Sequence, residues 1–194
     1  MNLGELRTNT SRRLGEATAT FYDSAALTNW INQGQIELCL LRLAMGAPLL
    51  EKRATITTTA NDWRIYPHAL LSDFVWPTRL SHNSRKLDRA ADRALDRAMP
   101  NWRGQFGEPR NWGIVGANFM FINPAPRNAT NLTLVYAYSP VALSADSDVP
   151  EVPVELHWIL SEYATYMALL KEGEAKLGAA LAHYERFLGG SSGK

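Results

Sequence analysis

The stretch DSAALTNWINQGQIELCL, residues 23–40, predicts a helix with two apolar sides. Asp23 or Ser24 can cap its start, because a short polar side chain there accepts a hydrogen bond from a free amide of the first turn. Apolar residues then recur at the three- and four-residue steps of one helical face, namely Leu27, Trp30, Ile31, Gly34, Leu38, Leu41 and Met45. Another row is formed by Ile36, Leu40 and Leu43. We therefore expect this helix to pack against more than one neighbour.

Length and composition predict an ordinary globular protein. The chain has 194 residues, of which 46% are hydrophobic and 20% are charged, so it can bury a core without covalent staples. A formal net charge of +1 argues against a nucleic-acid-binding protein, which usually has a strong basic excess. The lone Cys39 excludes a disulfide framework or a cysteine-based zinc site within one chain. No apolar run has the length of a signal peptide or a bilayer span, so we expect synthesis in a cytoplasm and no membrane contact.

The remaining periodicities predict an α+β fold that is mainly helical. A short helix is expected over residues 2–15, and two more over 154–171 and 174–188. Between them, the alternation in KRATITTTANDWRIYP predicts a β-hairpin with its turn near Ala60-Asn61-Asp62. Further strands are expected at 75–80, on both sides of a Gly-Ala-Asn turn after NWGIV, and in NLTLVYAY. We expect a bundle of the N- and C-terminal helices with an inserted antiparallel β lobe.

The same reasoning divides a single domain into three segments of chain. Residues 1–50 supply the N-terminal helices, residues 51–140 the β lobe, and residues 141–194 the C-terminal helices followed by the flexible tail GGSSGK. Residues 81–112 are expected to form an extended, exposed arm that becomes ordered on assembly, because they contain few large apolar residues. Within them RKLDRAADRALDRAM predicts either a solvated surface helix or a helix that faces a partner.

No catalytic or metal-binding pattern is present in the sequence, so we expect neither an enzyme nor a cofactor. The four histidines are not spaced as metal ligands, and His157 is interpreted as a packing residue of a helix. The DSD run at 146–148 is interpreted as a solvated linker. Trp102 and Trp112, near Arg103 and Arg110, suggest either base stacking or a subunit contact, and we favour the subunit contact.

Four stretches, taken in order, resemble the head-to-tail adaptor (connector) proteins of tailed bacteriophages. They are NLGELRTNTSRRLG with FYDSAALTNWINQGQIEL, TTTANDWRIYPHALLSDFVWPTRL, NFMFINPAP, and LTLVYAYSPVALSADSDVPEVPVELHWILSEYATYMALLKEG. Each motif is weak alone, but their order and spacing extend over nearly the whole chain. Residues 85–112 contribute nothing diagnostic to the resemblance.

The resemblance implies a structural protein of the virion neck. Such a protein would assemble in the host cytoplasm as a dodecameric ring under the portal, extend the DNA channel, and dock a tail or tail-completion protein. Its partners would be copies of itself, the portal protein, the tail component, and genomic DNA that passes without sequence recognition. A ring subunit needs a second surface for its neighbour, which explains the extra apolar row of the helix at 23–40.

Two sets of residues follow as candidates for these contacts. The predicted subunit interface consists of Ile36, Leu40, Leu43, Leu95, Trp102 and Trp112. The predicted portal-docking residues are Leu177, Leu181, Tyr184, Leu188 and Lys194. The alternatives are a small nucleic-acid-binding protein without catalysis, which the near-neutral charge disfavours, and a small hydrolase, which the missing catalytic pattern disfavours.

Overall fold

A computed structural model describes residues 1–15, 22–116 and 119–191. In these ranges it has six α-helices and two four-stranded sheets, which confirms a mixed α+β fold. The helices are α1 Leu3–Arg13, α2 Ser24–Ala44, α3 Pro67–Leu70, α4 Asp92–Ala98, α5 His157–Lys171 and α6 Leu177–Ser191. The strands are β1 Glu51–Thr57, β2 Arg64–Ile65, β3 Phe74–His82, β4 Arg85–Lys86, β5 Asp88–Arg89, β6 Asn111–Val115, β7 Phe119–Asn123 and β8 Asn131–Tyr138.

The chain forms two compact units. Residues 1–50 and the chain from residue 139 onward make a helical unit, and residues 51–138 make a β unit. Helix α5 is the centre of the helical unit, since it packs against α1, α2 and α6. Eight of its fifteen residues are buried: His157, Ile159, Leu160, Ser161, Glu162, Ala164, Thr165 and Ala168.

Local sequence signals explain where the first two helices begin. Asn2 caps α1, and Glu5 completes a capping box by accepting a hydrogen bond from the Asn2 amide. Asp23 caps α2 by accepting from the Ala25 amide, as predicted. Within α2, Gly34 allows close contact with α5, because a Cβ atom there would lie 3.1 Å from Cδ1 of Tyr163.

The β unit contains two sheets that share an apolar core, and a smaller apolar cluster lies around Trp102. The first sheet has the strand order β1-β8-β3-β4 and is antiparallel throughout. The second has the order β2-β7-β6-β5, with β5 parallel to β6 and the other pairs antiparallel. Their shared core consists of Ile56, Ile65, Phe74, Leu80, Leu87, Trp112, Met120, Ile122, Leu132, Leu134 and Tyr136.

The hairpin predicted from the alternation at residues 52–65 is wrong. Strand β1 pairs along its whole length with β8, whereas β2 belongs to the other sheet and pairs with β7. The chain does turn at the predicted place, where Asn61 has a φ of 59°. The alternation identified a strand correctly but contained no information about its partner, which lies far along the chain.

The exposed arm predicted for residues 81–112 is corrected as well. Strands β4 and β5 pair with β3 and β6, and only Asp92–Ala98 is helical in the segment expected to form a longer helix. Leu87 and Trp102 are fully buried. Most of the few large apolar residues reach the core, and they anchor the polar residues between them, although Phe106 is 46% exposed.

The flexible tail predicted from residue 189 is wrong for its first three residues. Helix α6 continues to Ser191, so Gly189 and Gly190 are helical. Arg42 Nη1 donates to the Ser191 carbonyl at 3.1 Å, which satisfies an acceptor at the end of the helix. Residues 192–194 lie outside the described residues, as do Ala117 and Asn118 of the predicted turn between β6 and β7.

Candidate interaction surfaces

One apolar row of α2 faces solvent. Ile36 and Leu40 are each 44% exposed, and Leu43 is half-buried. At about 100° of rotation per residue, this row lies on the opposite side of α2 from the buried Ile31 and Leu38. The helix therefore has two apolar sides, and one of them remains accessible.

Three other residues predicted at a subunit interface are buried in the core of the β unit. Leu95 and Trp102 pack with Phe121, and Trp112 belongs to the core between the sheets. Trp102 is stabilised there because its indole Nε1 donates to an Asp96 carboxylate oxygen at 2.8 Å. This corrects the prediction for Leu95, Trp102 and Trp112, which expose 7%, 0% and 2% of their surfaces.

The basic-aromatic pairs do not form stacking sites for bases. The guanidinium carbon of Arg103 lies 4.5 Å from the ring centroid of Trp102, so the arginine covers the tryptophan. Trp112 is approached by Arg89 at 5.6 Å. Because both rings are buried, neither offers an open face to a nucleobase.

The residues predicted for portal docking divide between the surface and the core of the helical unit. Leu177 and Leu181 are 43% and 46% exposed. Tyr184 and Leu188 are partly buried against the core of this unit. Phe187, which was not among the predicted residues, is fully buried. It lies on the inward side of α6, whereas Leu177 and Leu181 lie on a different side of the helix. Lys194 lies outside the described residues.

His157 and Cys39 both take part in the packing of the helical unit. His157 forms hydrogen bonds at both ring nitrogens, with Nδ1 2.9 Å from the Met1 amino group and Nε2 2.9 Å from the Val152 carbonyl. Burial, together with the charge of Glu151, raises the pKa of Cys39 to about 11. The thiol is therefore protonated at neutral pH and is a poor nucleophile.

The carboxylates of the DSD run organise the connector before α5. Asp146 forms an ion pair with Arg7. Asp148 accepts hydrogen bonds of 2.8 Å from the Ser144 and Ala145 amides, and these bonds lower the pKa of its carboxyl.

Among the described residues no His, Cys, Asp or Glu side chains form a group of three suited to a metal ion. No helix of residues 1–15, 22–116 and 119–191 is both long enough and apolar enough to cross a bilayer.

A buried carboxylate in the helical unit was missed by sequence reasoning. The side chain of Glu162, only 3% exposed, accepts a hydrogen bond from Arg13 and lies 2.6 Å from Nδ1 of His183. Arg186 Nη1 lies 3.9 Å from the same carboxylate. The sequence signal was weak: Glu162 is the one acidic residue among mostly apolar neighbours in HWILSEYATYMALL, and such a charge requires a partner if it is buried.

The two units carry opposite formal charge. Residues 51–138 contain twelve Lys and Arg and seven Asp and Glu residues, an excess of five positive charges. The rest of the chain contains eight basic and twelve acidic residues, an excess of four negative charges. The net charge of +1 thus conceals a separation of charge between the units. All twelve cationic side chains of the β unit are exposed.

Comparison with protein families shows what kind of protein has these surfaces. The model of a family described as SU10 adaptor protein matches residues 1–192. The chain belongs to this family. Among curated proteins, none matches the chain.

Membership in the SU10 adaptor family confirms the resemblance to phage head-to-tail adaptors. It indicates a structural protein of the virion, which oligomerises and interacts with portal and tail proteins. Three surface features of the described residues are accessible for contacts with other molecules: the apolar row of α2, the leucines Leu177 and Leu181 of α6, and the cationic side chains of the β unit.

Proposed function

We propose that the protein forms a ring that attaches under the portal, extends the DNA channel and docks the tail. The observation that carries the proposal is the match of the adaptor family over residues 1–192. A twelvefold ring is the stoichiometry that the resemblance implies. The same match favours this function over a free nucleic-acid-binding protein.

The exposed row of α2 is proposed as the contact between neighbouring subunits. A ring requires each subunit to present two different surfaces that meet head to tail. Ile36 and Leu40 supply adjacent apolar groups on a rigid helix, and their burial in a neighbour would contribute roughly 25 cal/mol for each Å² removed from water. Leu43 extends this row by one turn.

The first turns of α6 are proposed as the portal contact. Leu177 and Leu181 lie one helical turn apart and are both exposed, so a partner can cover them together. Tyr184 and Leu188 continue the same stripe of α6 and are partly buried against the core of the helical unit. Their role in this proposal is to hold the helix in place.

Substitution of the α2 row tests the proposed subunit contact. We expect Ile36→Ser combined with Leu40→Ser to abolish ring assembly with the portal, while the thermal midpoint of the isolated chain stays within a few degrees of wild type. A matched control combines Val141→Ser with Val149→Ser, two exposed valines of the same unit. Native mass spectrometry of each variant mixed with portal protein measures assembly. Rings formed by the α2 variant would place the subunit contact elsewhere.

A further inference from the structure

We infer that the solvent-facing side of the β1-β8-β3-β4 sheet binds the phosphate backbone of double-stranded DNA without reading its sequence. The inference rests on the proposed function, because a ring around a DNA channel brings the DNA to the protein. It adds to that function a specific surface, named here the basic face and defined by Arg53, Arg79 and Lys86.

Strand register places the three cations on one side of the sheet. Arg53 of β1 and Arg79 of β3 are both aligned with Val135 of the central strand β8. Lys86 of β4 is aligned with Ser81, which is itself aligned with Thr133, two residues from Val135. Aligned residues of neighbouring strands, and residues two apart on one strand, project from the same side of a sheet.

The opposite side of this sheet is the apolar core. The basic face is open to solvent around its three cations, whereas Ala137, on the same side next to Glu51, is buried. Leu80, Leu132 and Leu134 are fully buried on the core side, while Arg53, Arg79 and Lys86 are exposed. Among the described residues, none of these three cations forms an ion pair. The acid that shares their face, Glu51, lies at one end of it.

The spacing of the cations suits a row of phosphates. Neighbouring strands lie about 4.8 Å apart, so the backbones at Arg53 and Arg79 are separated by roughly 10 Å. Each strand of duplex DNA carries one phosphate per 3.4 Å or so of helix axis, and long side chains can reach alternate phosphates. Thr55, Thr133 and Ser81 lie two residues further along their strands than Arg53, Val135 and Arg79, so their hydroxyl groups are on the same face. Hydroxyl groups commonly donate hydrogen bonds to phosphate oxygens.

The composition of the basic face favours nucleic acid over a protein partner. The centres of protein interfaces are depleted in charge and enriched in aromatic residues, whereas this face has cations at its centre. Its large apolar groups are Val135 and, at the end that also bears Glu51, Trp76. Interfaces with DNA are polar and strongly positive. A sheet presented by its flat side does not enter the major groove, so we expect no base readout.

Matched charge removal tests the inference on the full-length chain. The first variant combines R53Q, R79Q and K86Q. The control combines R93Q, R97Q and R127Q, which are also exposed and outside ion pairs among the described residues, and so removes the same charge elsewhere on the β unit. Binding to a duplex of about 30 base pairs of arbitrary sequence is measured by fluorescence anisotropy over a range of salt concentrations.

We expect wild-type binding to weaken steeply with salt and to be the same for unrelated sequences. The first variant should bind at least about tenfold more weakly at low salt. Its slope of log affinity against log salt should be shallower by about three, because each of the three removed cations neutralises one phosphate in the wild-type complex. The control should retain the wild-type slope. A third variant, R53K with R79K, should bind like wild type, because lysine still supplies the charge.

Several results would overturn the inference. One is undetectable wild-type binding at low salt, and another is equal weakening in both triple variants, which would mean a response to net charge alone. Displacement of the duplex by poly-glutamate at equal charge concentration would assign the face to an acidic protein instead. Ring assembly on the portal is scored separately. If the first variant forms rings but keeps wild-type DNA binding, the inference alone fails, whereas absent wild-type rings refute the proposed function alone.

Discussion

Glu162 holds three helices of the helical unit through one buried carboxylate. It lies on α5, and its partners Arg13 and His183 lie on α1 and α6. A carboxylate taken out of water is stabilised only while cations and donors surround it, and loss of one member leaves the others unpaired in a poorly solvated site. Apolar periodicity predicted that α5 would be buried, but it contained no information about which charges would meet there.

Replacing that carboxylate should destabilise the helical unit. We expect Glu162→Gln to lower the free energy of unfolding by about 2 kcal/mol, less than for a fully buried pair because Arg13 is partly exposed to solvent. Urea denaturation measures the change. Glu185→Gln, an exposed position on α6, serves as the control and should stay within about 0.5 kcal/mol of wild type. Identical unfolding midpoints for the Glu162 variant and wild type would contradict this role.

Asp73 makes the stability of the β unit sensitive to acid. Hydrogen bonds from Lys52 Nζ at 2.7 Å and from Tyr136 Oη at 3.0 Å lower the pKa of its carboxyl in the folded protein. A depressed folded-state pKa contributes stability above the unfolded value of about 3.9, and this stability is lost as pH falls through the folded-state pKa.

We therefore expect Asp73→Asn to be less stable than wild type at pH 7, with the difference shrinking as pH falls from about 4 towards 3. Urea unfolding at a series of pH values measures that difference. Asp88→Asn, which removes an exposed carboxylate outside any ion pair among the described residues, should show a smaller effect at pH 7. A deficit for the Asp73 variant that stays constant down to pH 3 would exclude the proposed linkage.

The individual residues predicted as an interface show where side-chain chemistry alone is ambiguous. Exposed and buried tryptophans look identical in a sequence, and Trp102 and Trp112 proved to be core residues. The exposure of Ile36 and Leu40 was easier to predict, because the first apolar row already accounted for the buried side of the same helix.

Helix α6 shows that two adjacent glycines can have different roles in one element. A Cβ at Gly190 would lie 2.4 Å from Cγ2 of Ile159 on α5, whereas a Cβ at Gly189 would meet no atom within 4 Å. Gly190 therefore permits close contact of two helices. In the sequence, the Gly-Gly pair indicated a tail, since glycine is a poor helix former, and only tertiary packing explains why the helix continues.

The two glycines supply a matched pair of variants. We expect Gly190→Ala to lower the free energy of unfolding by about 1–3 kcal/mol through overpacking against Ile159. Gly189→Ala should instead raise it by roughly 0.5 kcal/mol, since alanine favours a helix at an open position. Thermal or urea unfolding of both variants measures the contrast. Equal effects of the same sign would refute the close approach at Gly190.

Helix positions were predicted better than strand partners. The spacing of apolar residues is local, and it identified α1, α2, α5 and α6 with their approximate ends. Pairing of β1 with β8 joins segments more than seventy residues apart, so no local signal could reveal it. The short strands β4 and β5 escaped prediction because two residues are too few to show an alternation.

At the scale of the whole protein, the distribution of formal charge between the two units is more informative than the total. The total of +1, taken alone, disfavours contact with nucleic acid. Divided at residues 51 and 138, the same sequence has a positive β unit and a negative helical unit. That division could have been made from the sequence once the β insertion was recognised. The family membership was also predictable, because motifs that are weak alone were taken together in their order over nearly the whole chain, and the family model matches residues 1–192.

The proposed ring can be tested most directly by native mass spectrometry of the full-length protein, alone and mixed with the portal protein of the same phage. We expect the mixture to contain a complex in which many copies of this chain, twelve by the resemblance to head-to-tail adaptors, are bound to one portal oligomer. The chain alone should be a monomer or the same ring. A stable dimer in both conditions, with no mass shift of the portal, would contradict the proposed ring.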